Sequence, residues 1–169
     1  MSSFFRKPVR AFTLVETLVA VAILTIAIVG PYTAAAKSLA AAYVARDELV
    51  ASGLAQEGVE YARNVRDTNY LAHNPWLTGL SACMPGPCVF DTVTSPSGFV
   101  APLYLRSDTG SYNQRAIGTV TPFTRTISIT PVPVGAPNPT EVLVTVTVSW
   151  KTTNTPYSVT VDEHLSNWQ

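Results

Sequence analysis

The stretch Phe12-Thr13-Leu14-Val15-Glu16-Thr17-Leu18-Val19-Ala20-Val21-Ala22-Ile23-Leu24-Thr25-Ile26-Ala27-Ile28-Val29-Gly30 decides how the rest of this chain is read. It follows a short basic leader holding Arg6, Lys7 and Arg10, and no charged residue occurs from Thr17 to Ala36. Twenty helical residues at about 1.5 Å each cover roughly 30 Å, the hydrocarbon thickness of a bilayer. The segment can therefore span a membrane, with the basic cluster kept on the cytoplasmic side. Glu16 is the one charge inside it. A carboxylate costs about 2.5–3.5 kcal/mol at mid-bilayer and less near the interface, so it normally has a partner and a role. The apolar run offers no cation to fill that place.

The run from Ala11 to Leu24 resembles the N-terminal cleavage and methylation motif of type IV prepilins and type II secretion pseudopilins. In that family a membrane-embedded prepilin peptidase removes the leader and methylates the new terminal amine. The resemblance implies a cut between Ala11 and Phe12 and makes Glu16 the family's acidic fifth residue, about one helical turn from the new amine. Ala11 stands where the family usually has Gly; it is also small, and cutting is still expected. The close similarity covers about the first 25 residues, with a looser one through the helical continuation to Asn69. The Thr17-to-Ala20 continuation of Thr13-Leu14-Val15-Glu16 looks most like the I-type minor pseudopilins and V-type minor pilins. The implied fold is α+β, the type IV pilin fold, in which a long N-terminal helix packs on a C-terminal antiparallel sheet. The expected segments are a leader at 1–11, a membrane or filament-core half-helix at 12–36, an amphipathic half at 37–68, a variable loop region at 69–100 and the sheet at 101–169.

Composition agrees with an exported domain anchored at one end. The chain has 169 residues, enough for one modest core. Charged residues make up 13%, against about 25% in ordinary soluble domains, and Thr and Ser supply much of the remaining polarity. Formal net charge is zero, and loss of the three leader cations leaves eight basic against eleven acidic side chains. No basic nucleic-acid face is evident.

Gly30-Pro31 interrupts the apolar run, where proline removes a backbone donor and crowds the preceding turn, so a kink is expected. Two readings stand side by side: the family's first-helix proline, associated with local melting on filament packing, and an ordinary transmembrane kink. Beyond Lys37 the helix becomes amphipathic, with Leu39, Tyr43, Val50, Leu54, Tyr61 and Val65 on one stripe. Arg46, Asp47, Glu48, Glu57, Glu60, Arg63 and Arg66 fill the other faces, as a solvated or subunit-facing surface. Gly53 and Gly58 each cost about 1 kcal/mol in a helix, which points to close packing. Asp67-Thr68-Asn69 and Asn74-Pro75 are stop signals, placing the helix from Phe12 to about Arg66.

From Leu71 to Ala101 the chain reads as loop with a short strand at Val89–Val93. Strands follow at Thr119–Thr130, with an edge-type Pro122, at Glu141–Trp150 and at Tyr157–His164. Val142, Val144, Val146, Val148 and Trp150 share one face, and the proline-rich 131–139 is an exposed loop. The expected result is an antiparallel meander whose apolar face the amphipathic half-helix covers.

Cys83 and Cys88 flank Met84-Pro85-Gly86-Pro87, a turn that can bring the sulfurs together. An extracytoplasmic setting favours a disulfide, whose expected effect is to stiffen one surface feature; two free thiols in a loop are the alternative. A lone Cys pair lacks two ligands for zinc. Catalytic constellations are absent from the pattern: His73 and His164 read as surface residues, and no nucleophile triad, phosphate loop or cofactor motif is present. Asp108-Thr109-Gly110-Ser111-Tyr112-Asn113 has oxygen ligands and a Gly turn but no closing glutamate, so it reads as a turn rather than a calcium loop.

Two function classes follow. The resemblance implies a structural filament subunit, a minor pilin or pseudopilin, whose partners are the peptidase, sister subunits, the inner-membrane assembly platform and the bilayer before assembly, with no cofactor. Its place is the inner membrane, with the C-terminal domain outside the cytoplasm, and then a periplasmic or surface filament. The other reading is a secreted or tip-located binding module with a conventional signal peptide, h-region Leu18–Val29, cut after Ala36.

Overall fold

The computed structural model describes residues 12–84, 86–91, 94–97 and 101–168. The chain divides into two units, one ending at Tyr43 and one starting at Val44. A single helix, α1 (Leu14–Leu71), supplies most of the first and the covering element of the second. It passes through Pro31 as helix.

α1 runs five residues beyond the expected end because Asp67-Thr68-Asn69 does not act as a stop. The Asn69 side chain is buried and donates to the carbonyls of Trp76 at 3.1 Å and Thr78 at 2.9 Å, so it folds the following segment back instead of capping the helix. The helix ends two residues later, at Leu71. Asn74 N–H reaches the Asn69 carbonyl at 2.9 Å and His73 N–H the Tyr70 carbonyl at 3.1 Å, with His73 at φ 54°. That is a Schellman closure with a histidine in the position usually given to glycine.

The sheet contains five strands in the order β4-β3-β5-β6-β7: β3 (Pro102–Leu105), β4 (Tyr112–Asn113), β5 (Thr119–Val132), β6 (Glu141–Thr152) and β7 (Thr155–Ser166). All neighbours are antiparallel. A separate two-stranded hairpin pairs β1 (Val89–Asp91) with β2 (Thr94–Ser97). The expected β1 ended at Val93, which lies outside the described residues. β2, β3 and β4 are short and, in β2 and β3, contain proline, so periodicity alone does not reveal them.

Pro122 is not on an edge, as its strand was expected to be. β5 lies between β3 and β6, and the proline is accommodated by an irregularity: Tyr104 pairs with Val120 but Pro102 with Thr124. On the other side the β6 ladder begins only at Thr124, so Pro122 owes it no donor. β6 and β7 pair without a shift from Glu141↔Ser166 to Thr152↔Thr155, joined through Thr153 and Asn154, both at positive φ.

The core lies between the sheet and the second half of α1. Val142, Val144, Val146, Val148 and Trp150 are all buried, as the alternation of β6 implies, and Ile127 and Ile129 continue the layer on β5. The helix face that meets them differs from the expected one. Ala51, Leu54, Ala55, Gly58, Val59 and Ala62 are buried, whereas Val50, Tyr61 and Val65 flank them half-buried and Tyr43 is exposed. Small residues at the centre let the backbone approach the sheet, and the large ones seal the sides. At Gly58 a Cβ would lie 2.7 Å from Val146 Cγ1 and 3.3 Å from Phe90 Cζ. Gly53 was expected to share this packing, but a Cβ there meets nothing within 4 Å.

The two glycines therefore predict opposite outcomes. Gly53→Ala gains about 1 kcal/mol of helix propensity and raises the thermal midpoint. Gly58→Ala gains the same propensity but forces the Val146 contact, an overpacking cost of about 1–3 kcal/mol, and lowers the midpoint. Thermal unfolding followed by circular dichroism measures both signs.

Candidate functional site: the N-terminal motif of the helix and its anchorage to the sheet

Thr13 precedes the first helical residue, and its hydroxyl accepts the Glu16 N–H at 3.3 Å while its carbonyl takes the Thr17 N–H at 3.2 Å. Thr13-x-x-Glu16 has the spacing of a capping box, a signal that sequence inspection centred on the apolar run passes over. Glu16 lies in the first turn, where the unsatisfied N–H groups favour an anion by about 0.3–1 kcal/mol. Among the described residues no ion pair involves it. Ala11, on the other side of the expected cut, lies outside the described residues. Phe12 is 75% exposed.

From Leu14 to Tyr32 every large apolar side chain stands exposed, and the segment is long and apolar enough to cross a membrane. Its polar atoms are dealt with locally. Thr17 donates to the Leu14 carbonyl at 2.9 Å, Thr25 to Ala22 at 2.8 Å, and Thr33 to Gly30 at 2.9 Å. In hydrocarbon an unmet hydroxyl costs several kcal/mol, so these internal bonds suit the segment to a waterless environment. The Thr33 bond also occupies the Gly30 carbonyl next to Pro31, whose missing N–H leaves the Ala27 carbonyl without its helical donor.

In the second half of α1 the charges were expected on a solvated or subunit-facing surface. Several instead fasten the helix to the sheet. Arg125 on β5 is 1% exposed; its guanidinium pairs with Glu57 at 2.7 Å, donates to the Leu54 carbonyl at 3.1 Å, and stacks over Phe90 at 4.1 Å. Arg63 pairs with Glu60 and with Glu163 on β7, both at 2.6 Å, and Arg66 lies 4.6 Å above the Trp168 ring. The alternation of β5 places Arg125 on the inward face with Phe123, Ile127 and Ile129, but the counter-charge that makes a cation tolerable there comes from Glu57, 68 positions away.

Cys83 and Cys88 form a disulfide with Cα atoms 4.8 Å apart, and both are fully buried. The bridge is not a surface stiffener, as expected, but part of the core. Cys88 exchanges both backbone hydrogen bonds with Ile127, at 2.8 and 2.9 Å, which stitches the loop onto β5. Two residues on, Phe90 is wedged between Tyr61, at 4.4 Å, and Arg125. The 3₁₀ turn at Ser81–Cys83, Trp76 and Leu80 complete this inserted layer.

The Asp108 carboxylate is engaged by the Arg106 guanidinium, whose Nε donates to it at 3.0 Å; Thr109 and Ser111 hydroxyls pair at 2.7 Å, and Gly110 turns at φ 68°. The hydrogen bond from Arg106 holds the Asp108 carboxyl below the ordinary carboxylate range, and Arg106 is raised in return. His164 pairs with Glu141 at 2.6 Å on the exposed face, and His73 closes the helix. Among the described residues no three His, Cys, Asp or Glu side chains converge as a metal site.

Two outcomes follow. Glu57→Ala removes a counter-charge from the buried Arg125 and is expected to cost more than Glu60→Ala on the exposed side, which costs under about 1 kcal/mol; denaturant titration of both variants separates them. The Asp108 pairing is present above the unfolded carboxyl pKa of about 3.9 and is lost only as pH falls through the lower folded value. A carbon-detected NMR titration finds its midpoint below that of a free aspartate, and Arg106→Ala returns it to the ordinary range.

Comparison with known proteins agrees with the geometry at the N-terminus. Residues 6–30 match the family model described as the prokaryotic N-terminal methylation motif. No curated protein and no solved structure matches the chain. The matched segment contains the capped helix start, Phe12 and Glu16, and it enters an apolar helix that continues onto a five-stranded antiparallel sheet. The chain thus carries the prokaryotic N-terminal methylation motif at the head of a long helix packed on a five-stranded antiparallel sheet, an α+β arrangement consistent with the type IV pilin fold.

Proposed function

We propose that the chain is a structural subunit, a minor pilin or pseudopilin, of a type IV pilus or type II secretion-like filament. Prepilin peptidase cuts between Ala11 and Phe12 and methylates the Phe12 amine, and the subunit waits in the inner membrane with its C-terminal domain outside the cytoplasm. The observation that carries this reading is the methylation motif at residues 6–30 placed at the head of a helix whose apolar half is unburied.

Lipid and a filament core are both apolar, so the helix can leave one for the other only if neighbouring helices replace the acyl contacts. Glu16 then takes the Phe12 amine of a docked neighbour as counter-charge. Two opposite charges that enter an apolar core together are stabilised by their mutual field, and the pair sets the axial register. Gly30-Pro31 supplies a weak point at which the helix can adjust during that transfer, because one backbone bond is already missing.

Mass spectrometry of the native product is expected to find an N-methylated Phe12 as the first residue. A product beginning at Lys37 overturns this reading in favour of a secreted binding module with a conventional signal peptide. Glu16→Ala is expected to leave processing intact and to reduce incorporation into sheared filaments at least tenfold, corresponding to about 1.4 kcal/mol or more of lost pairing. Incorporation at the wild-type level contradicts the role given to Glu16.

A further inference from the structure

At the end of the globular unit where α1 stops, a cavity of about 960 Å³ opens between the segment Pro75-Trp76-Leu77, Met84, the end of β5 and the β5–β6 loop. Nothing in the filament reading uses it. Its size is near the upper end of the roughly 300–1,000 Å³ typical of small-molecule sites.

Its walls are held in place from behind. The buried Asn69 amide grips the Trp76 and Thr78 carbonyls, and Leu80 N–H closes on Leu77, so the first wall is fixed to the helix. Opposite, Ala136 N–H bonds the Pro133 carbonyl at 3.2 Å, and Asn167 N–H bonds the Thr140 carbonyl at 2.7 Å, which ties the end of the loop to the residue after β7. Prolines at 75, 131, 137 and 139 restrict both walls further. A site already shaped needs little ordering when it is filled.

The lining chemistry selects the occupant. Among the described residues no ionisable side chain lines it. A charged ligand would lose hydration there without gaining a counter-charge, so anions, phosphates and ammonium groups are disfavoured. Trp76, Leu77, Met84, Ile129 and Val134 supply apolar surface, and Val134 projects 84% exposed at the mouth. The four prolines bring no N–H, the Pro75 carbonyl is taken by Thr78 N–H at 2.9 Å, and the remaining side-chain polarity includes Thr130, Asn138 and Thr140, which both donate and accept. A mainly apolar wall with a few neutral polar side chains complements an uncharged molecule.

We propose that this cavity binds a neutral, mainly apolar small molecule that makes one or two hydrogen bonds to the Thr and Asn side chains of its wall. The test uses the full-length processed protein in detergent micelles with indole as the probe. The chain has three tryptophans, and only Trp76 lines the cavity, so three indole N–H signals report the site and two internal controls. The expected result is a saturable shift of the Trp76 signal, with Trp150 and Trp168 following only the linear drift of micelle partitioning. Ala136→Phe fills the loop side and is expected to weaken the saturable binding at least tenfold. Met84→Gln places an amide in the apolar wall at similar volume and is expected to weaken it also. A Trp76 signal that moves no more than the other two overturns the proposal, and so does wild-type affinity in both variants.

Discussion

The constraint on which this protein depends is the uncovered apolar surface of the first half of its helix. Large apolar side chains from Leu14 to Tyr32 stand exposed, and among the described residues none buries them. Exposed apolar surface of that extent is not stable in water, at about 25 cal/mol per Å², so the segment calls for apolar surroundings. The threonine hydroxyls bonded back onto their own helix, and a start capped by Thr13, prepare the segment for surroundings that offer no hydrogen bonds.

The second half of the same helix solves the opposite problem. Its buried face is made of alanine, glycine and a few larger residues, which lets the backbone settle against the valines of β6; Gly58 marks the closest approach. Small side chains bury little area each, so the contact is strengthened by what is inserted beside it. The disulfide-bonded segment carries Cys88 onto β5 and Phe90 between Tyr61 and Arg125, and the covered guanidinium takes Glu57 from the helix. Helix, loop and sheet meet at one buried charge. Removing Glu57 takes a counter-charge from a guanidinium that water does not reach, which costs more than breaking an exposed pair.

Much of the architecture is legible from residue order. The uncharged run at 17–36, the switch to amphipathic spacing, and the strict alternation of Val142 to Trp150 announce helix and sheet because each reflects a period imposed by backbone geometry. The three long strands are found at their expected places, each extended by up to two residues at an end. Short elements escape this reading. β3 and β4 offer four and two residues, too few to show a period, and β2 contains a proline that argues against a strand. The helix end is misplaced for a related reason: Asn69 has the composition of a stop, but its amide is consumed by the backbone of Trp76 and Thr78.

By itself the sequence determined the methylation motif at the head of the helix, the membrane-length apolar run with its single acid, and the apolar face of β6, because these are properties of neighbouring residues in one strand or helix. Only the tertiary structure decided that Arg125 pairs with Glu57, that the Cys83–Cys88 bridge belongs to the core, that small rather than large helix residues face the sheet, and that Gly58 packs while Gly53 does not. Each of these depends on a partner brought near by folding, such as Glu57 for Arg125 or Val146 for Gly58, and local periodicity carries no information about a neighbour that is distant along the chain.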